Sequence, residues 1–244
     1  MHLIQAIKFW LRSGKAASPA EAVAKGATAR SLASIITNYE ARHAQDVAQA
    51  VEDSRRLSDR YGSFNTFLYQ PHFDLFLRKE VLPFQQPSKL HLGFLDMNNW
   101  RERHPFNFPG PFYVGESDTC GTGVCEAPIN VGNDAHCCEY VFRQPSTYEE
   151  LAYVLNAAVV EAFDSYSSNG NEYWTYEACK AWWRNREIIV RDLLDPRVAR
   201  MNNGQNLLYL KYLQGEAEMD LRRYCFFLEH GVYPSQAGVA LPEL

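Results

Sequence analysis

The chain has 244 residues, of which 46% are hydrophobic and 22% charged, a balance that excludes disorder over most of its length and allows one large or two small domains. A formal charge of -5 gives no general attraction to nucleic acid, so a dedicated DNA-binding role is disfavoured and nucleic-acid contact is not indicated. No run approaches the roughly 18 apolar residues of a spanning helix, which predicts a soluble chain without a membrane partner, in the cytoplasm or in a particle assembled inside the cell.

Helical signals dominate residues 1–82. Leu3, Ile4, Ile7, Trp10 and Leu11 recur at three- and four-residue spacing before Gly14. Ser18-Pro19-Ala20-Glu21 combines an N-cap, a proline at the first helical position and a capping-box carboxylate, so a short helix is predicted from there to Gly26. From Ala27 to Tyr61, Leu32, Ile35, Ile36, Tyr39, Val47, Val51, Leu57 and Tyr61 trace one stripe of a long helix that Gly62 ends. A further helix is predicted over Phe73–Leu82, closed by Pro83.

Residues 83–145 hold seven of the 12 prolines, which excludes long helices. Leu90, Leu92 and Phe94 alternate, as do Cys138, Tyr140 and Phe142, predicting short strands with which Tyr113-Val114 pairs. Helical patterning returns in residues 146–244. Ser146-Thr147-Tyr148-Glu149 is a second capping box, followed by Leu151, Val154, Leu155, Ala158, Val159 and Ala162 on one face. Thr175 caps a helix displaying Ala178, Trp182, Ile189 and Leu193, Pro196 opens another segment, and Glu216–His230 forms a helix stopped by Gly231 before an extended tail. Arg184, Arg186, Arg191, Arg197 and Arg200 are interspersed with Glu187, Asp192 and Asp195, the pattern of a salt-bridged helix surface.

The richest chemistry lies between Cys120 and Cys138. Cys120, Cys125, His136, Cys137 and Cys138 offer thiolate and imidazole ligands for zinc, yet the spacing fits a knuckle poorly, since paired ligands usually stand two to four residues apart. Pro128 occupies the place of the next cysteine in a plant-type iron–sulfur loop. The expected state is therefore reduced thiols with no cofactor, zinc or a disulfide being the alternatives. A Cys120 nucleophile assisted by His136 or His230 is the catalytic alternative, but no dinucleotide loop, phosphate loop, nucleophile elbow or His-Glu-x-x-His motif is present, and no catalytic residue is assigned.

Arginine supplies 17 of the 24 cations, beside 14 Tyr, 14 Phe and 5 Trp, the residue types enriched at protein interfaces. Trp100, Phe106, Phe108, Phe112 and Tyr113 lie in sequence too irregular for one helical stripe, and Trp183 stands about 100° around a helix from Trp182, so these six are the expected interface. The combined expectation is a mainly α protein, a helical bundle with a Pro-rich, partly β central excursion, in one composite domain of segments 1–82, 83–145 and 146–244. Its expected role is a non-enzymatic structural or assembly subunit that contacts other protein subunits as a homo-oligomer, such as a ring-forming virion or tail connector. The alternative is a metal- or thiol-dependent enzyme, or a metal-binding protein, centred on Cys120–Cys138.

Overall fold

The computed structural model describes residues 48–49, 51–84, 98–117, 120–202, 204–234 and 238–244. The chain divides into two compact units, Met1–Asp53 and Ser54–Leu244. The described residues of the first, 48–49 and 51–53, are helical, and Gln49 Nε2 donates to Asp53 Oδ1 one turn on, at 2.9 Å. The helices expected over residues 3–11 and from Ser18, much of the Ala27–Tyr61 stripe, and the Leu90–Phe94 alternation lie outside the described residues.

The second unit is mainly helical. Helical backbone over 54–61 (α1) leads through Gly62 into α2 (Phe64–Leu68). Helix α3 (Phe73–Phe76) passes into a π-helical turn (Leu77–Val81) and a 3-10 turn (Leu82–Phe84). The predicted Phe73–Leu82 helix is thus present with a widened second turn, and Pro83 sits inside the last turn rather than beyond it.

Four short strands follow among the described residues: β1 (Tyr113–Val114), β2 (Val131–Asn133), β3 (Glu139–Val141) and β4 (Tyr166–Ser167), with α4 (Thr122–Glu126) between β1 and β2 and α5 (Tyr148–Val160) between β3 and β4. β2 and β3 form an antiparallel hairpin, Gly132 opposite Tyr140. β1 pairs antiparallel with β4, Tyr113 opposite Ser167, and not with the 138–142 strand, one of the two partners that the sequence offered. The reason lies in Asn107, which occupies the gap between β1 and β3. Its Oδ1 accepts the amides of Val114 (3.1 Å) and Val141 (2.9 Å), and its Nδ2 donates to the carbonyls of His104 and Val114, both at 2.8 Å. One buried amide thereby does what a direct ladder would do.

A 3-10 turn (Gly170–Glu172) precedes the C-terminal helices α6 (Tyr176–Arg184), α7 (Arg186–Leu193), α8 (Pro196–Met201), α9 (Asn206–Gln214) and α10 (Ala217–His230). Their starts follow local chemistry. Thr175 accepts from the Ala178 amide, and Asp195 accepts from the Arg197 amide with Pro196 at the first helical position. α10 ends where Gly231 turns left-handed at φ 71°. The single helix expected from Thr175 to Leu193 is two, because at Asn185 the backbone leaves helical geometry and the side chain folds back onto the Ala181 carbonyl at 2.9 Å. The second capping box is displaced by one residue. Thr147, not Ser146, accepts from the Glu150 amide, while Glu150 reaches back to the Ser146 amide and hydroxyl, both at 2.8 Å. α5 stops at Val160, so Ala162 lies beyond the expected stripe.

Two apolar clusters fill this unit. The first joins Leu57, Phe67, Leu77, Val124, Leu151 and Val141, among others; the second joins Phe108, Tyr140, Trp183, Leu193, Tyr209 and Leu221. Strand β3 separates them, because successive side chains alternate: Tyr140 enters the second cluster and Val141 the first. The described tail, 238–244, is tied down, with Arg222 Nε donating to the Pro242 carbonyl at 2.9 Å and Leu244 against the second cluster.

Candidate functional site

The described side chains of the cysteine-rich segment do not converge. Gly121, left-handed at φ 66°, turns the chain into α4, and Gly123 in its first turn lies so close to Glu139 and Tyr166 that any side chain would meet their oxygens. Cys120 and Cys125 are exposed, whereas Cys137 and Cys138 sit half-buried in the β2–β3 turn. Cys125, Cys137, Cys138, Cys179 and Cys225 are free thiols, and among the described residues no group of three or more His, Cys, Asp and Glu side chains is placed to hold a metal ion. Cys120, Cys125, His136, Cys137 and Cys138 are therefore not brought together as a ligand set. Burial, and then the Asp134 carboxylate, push the Cys137 and Cys138 thiols up, away from the thiolate form that both nucleophilic attack and zinc binding need.

His104, which sequence reasoning passed over, is the partner of this turn. Its Nδ1 accepts the Phe106 amide at 3.1 Å, so the proton lies on Nε2 and is donated to Asp134 Oδ2 at 3.3 Å. The ring stacks on Tyr140, centroids 5.1 Å apart. Asp134 also accepts the amides of His136 (2.7 Å) and Cys138 (2.9 Å). Burial raises its carboxyl, but the bonds from His104 and the two amides outweigh that and hold it below the ordinary 3.8. Both nitrogens of His104 are engaged, so as arranged this pair staples the turn and offers no base to a neighbouring thiol. His230, at the end of α10, packs its ring on Phe226 at 4.2 Å.

The six aromatic residues expected at an interface are interior or nearly so. Tyr113 and Phe112 are 0% and 1% exposed; Phe106, Phe108 and Trp183 are also buried, and Trp100 packs on the second cluster. Each finds a ring partner inside the chain: Phe112 meets Phe73 edge-on at 5.7 Å, Phe108 meets Trp182 at 5.3 Å, and Trp100 meets Trp174 at 5.1 Å. These rings pack within the chain, since irregular backbone that cannot form a stripe still folds its rings inward when buried amides such as Asn107 satisfy it.

An open cleft of about 380 Å³ is formed instead where α2, the end of the 139–146 segment, α9, α10 and Tyr233 meet. Its lining includes Tyr69, Arg143, Tyr212, Asp220, Arg223 and Tyr233, with the exposed Met219 at its edge. Tyr69 and Tyr233 stack in parallel at 4.5 Å. Asp220 accepts from Arg223 at Oδ1 (3.2 Å) and from the Tyr212 hydroxyl at Oδ2 (3.0 Å), and Arg223 lines the cleft with Tyr233. Burial raises the Asp220 carboxyl despite these partners, and burial pushes the Tyr233 hydroxyl up to about 12. Arg143 lies over the Tyr212 ring, 5.7 Å from its centroid, and meets Glu216 only at 4.0 Å.

The arrangement can present hydrogen-bond donors and aromatic faces to a polar segment of another molecule. It offers no nucleophile paired with a free base. Sequence reasoning missed it because its residues come from separated stretches; the one local trace is the Asp220-x-x-Arg223 spacing on α10. Comparison with family models, with curated proteins and with solved structures gives no match to this chain.

Proposed function

We propose that the chain is a non-enzymatic subunit that works by binding another protein, with the Tyr69–Arg143–Tyr233 cleft as its docking site. The observation that carries this reading is the lining: tyrosine and arginine dominate binding energy at protein interfaces, because a ring or a planar guanidinium gains contact at low cost in conformational freedom. Chemistry of the interior points the same way, since Asn107, Gln144 and Glu139 spend their polar atoms on backbone groups and the Tyr166 hydroxyl. Leu194 on the α7 side and Leu207 on α9 leave 60% and 57% of their surface exposed, further apolar area for a partner.

A photo-crosslinking residue at Met219, at the edge of the cleft, tests this against the same residue at Glu229 in living cells. A discrete protein adduct from position 219, absent from 229 and lost in Tyr233→Ala, is the expected result. A closed ring of identical copies, as in a virion or tail connector, is the finer form of the reading, and native mass on the purified chain reads it directly. A strictly monomeric chain with no adduct from position 219 would end the proposal.

A further inference from the structure

We propose that the group this cleft takes from its partner is a carboxylate, an aspartate or glutamate side chain held on the Arg143 guanidinium; the inference rests on the partner-binding reading above. The cleft contains two arginines and two acids, so net charge does not select the ligand. Satisfaction of the groups does. Both oxygens of Asp220 are taken, one by Arg223 and one by Tyr212. Glu216 stands at the rim with 75% of its side chain in solvent, where water screens it.

Arg143 is the exception. Its side chain keeps only 30% of its surface, yet among the described residues it makes no hydrogen bond, and its one ion pair, to Glu216, is at the 4.0 Å limit. A guanidinium carries five N–H donors in a planar fork that matches the two oxygens of a carboxylate, and the Tyr212 ring beneath it leaves that fork unfilled. Tyr69 lines the same cleft, and burial, followed by its neighbours Tyr233 and Asp220, raises its hydroxyl. A dianionic phosphate would place twice the charge beside Asp220 and Glu216 for the same single unsatisfied cation, which favours the monoanion. A partner cation would find both Asp220 oxygens already occupied and Glu216 screened by water at the rim.

The test uses the full chain with nitrogen-15 label, reading the Arg143 Nε–H resonance while N-acetyl-glutamate N-methylamide is added, with the glutamine analogue and inorganic phosphate as comparisons. The glutamate compound is expected to shift the resonance saturably, at least about tenfold more tightly than the glutamine compound, as befits a charge-assisted pair. Arg143→Lys should weaken it severalfold by losing the bidentate fork. Glu216→Gln removes the competing acid and should tighten it about threefold, a gain that a merely destabilised protein could not give. Equal response to the glutamine compound, phosphate binding in place of the carboxylate, or no gain in Glu216→Gln would overturn the inference. An adduct from position 219 alongside any of those results leaves partner binding standing and removes the carboxylate alone.

Discussion

Among the described residues of 176–230 the backbone closes most of its hydrogen bonds within three to five positions, by helices and their caps, whereas in residues 98–145 buried side chains close them across as many as 103 positions, the reach from the Tyr209 hydroxyl to the Phe106 carbonyl. Gln144 donates to the carbonyls of Phe108 (3.0 Å) and Phe112 (2.8 Å) and accepts the Phe112 amide, and Asn107 bridges two strands that do not pair. The helical region distributes its stability over many small local terms. The irregular region concentrates it in a few side chains whose loss strands several backbone groups at once. Each buried unsatisfied group costs about 1–3 kcal/mol, against about 1 kcal/mol for a cap.

The sharpest way to break this contrast is Asn107→Ala, which leaves the Val114 and Val141 amides without their acceptor. We expect a loss of about 4 kcal/mol in chemical denaturation, several times that of any cap. A loss near 1 kcal/mol would show that the two regions are held alike. Gly123→Ala comes next, at about 2 kcal/mol, because the added methyl meets Glu139 and Tyr166, which have no room to move. Thr147→Ala and Thr175→Ala should each cost about 1 kcal/mol, with Ser146→Ala less than Thr147→Ala since the Ser146 amide keeps its bond to Glu150.

Acidity separates the regions most finely. Asp134 is lowered, so its contribution is present above its unfolded value near 3.8 and is lost as pH falls through the folded value. Asp220 is raised, so its contribution is fully present below 3.8 and is lost as pH rises through its folded value. Urea midpoints followed against pH should therefore flatten on the acid side in Asp134→Asn and on the higher side in Asp220→Asn. The same change in both variants would contradict the opposite environments assigned to these carboxylates.

The sequence by itself determined what depends on neighbours within one helical turn. Thr175, Pro196 and Gly231 mark boundaries because each acts locally, through a bond to an amide three residues away, a ring that fixes the first helical turn, or a backbone conformation at one glycine. The 139–141 strand was legible in the alternation of Cys138, Tyr140 and Phe142. Even locally, the capping box expected at Ser146 and Glu149 stands one residue later, with Thr147 as the cap and Glu150 closing it. Only the tertiary structure decided that β1 pairs with β4, that His104 locks the Asp134 turn, that the central aromatics are core, and that Tyr69, Arg143, Asp220 and Tyr233 share one cleft. Those relations join residues about 30 to 160 positions apart, where a pairing depends on which surfaces and polar groups the rest of the fold leaves unsatisfied, a quantity that no local spacing encodes.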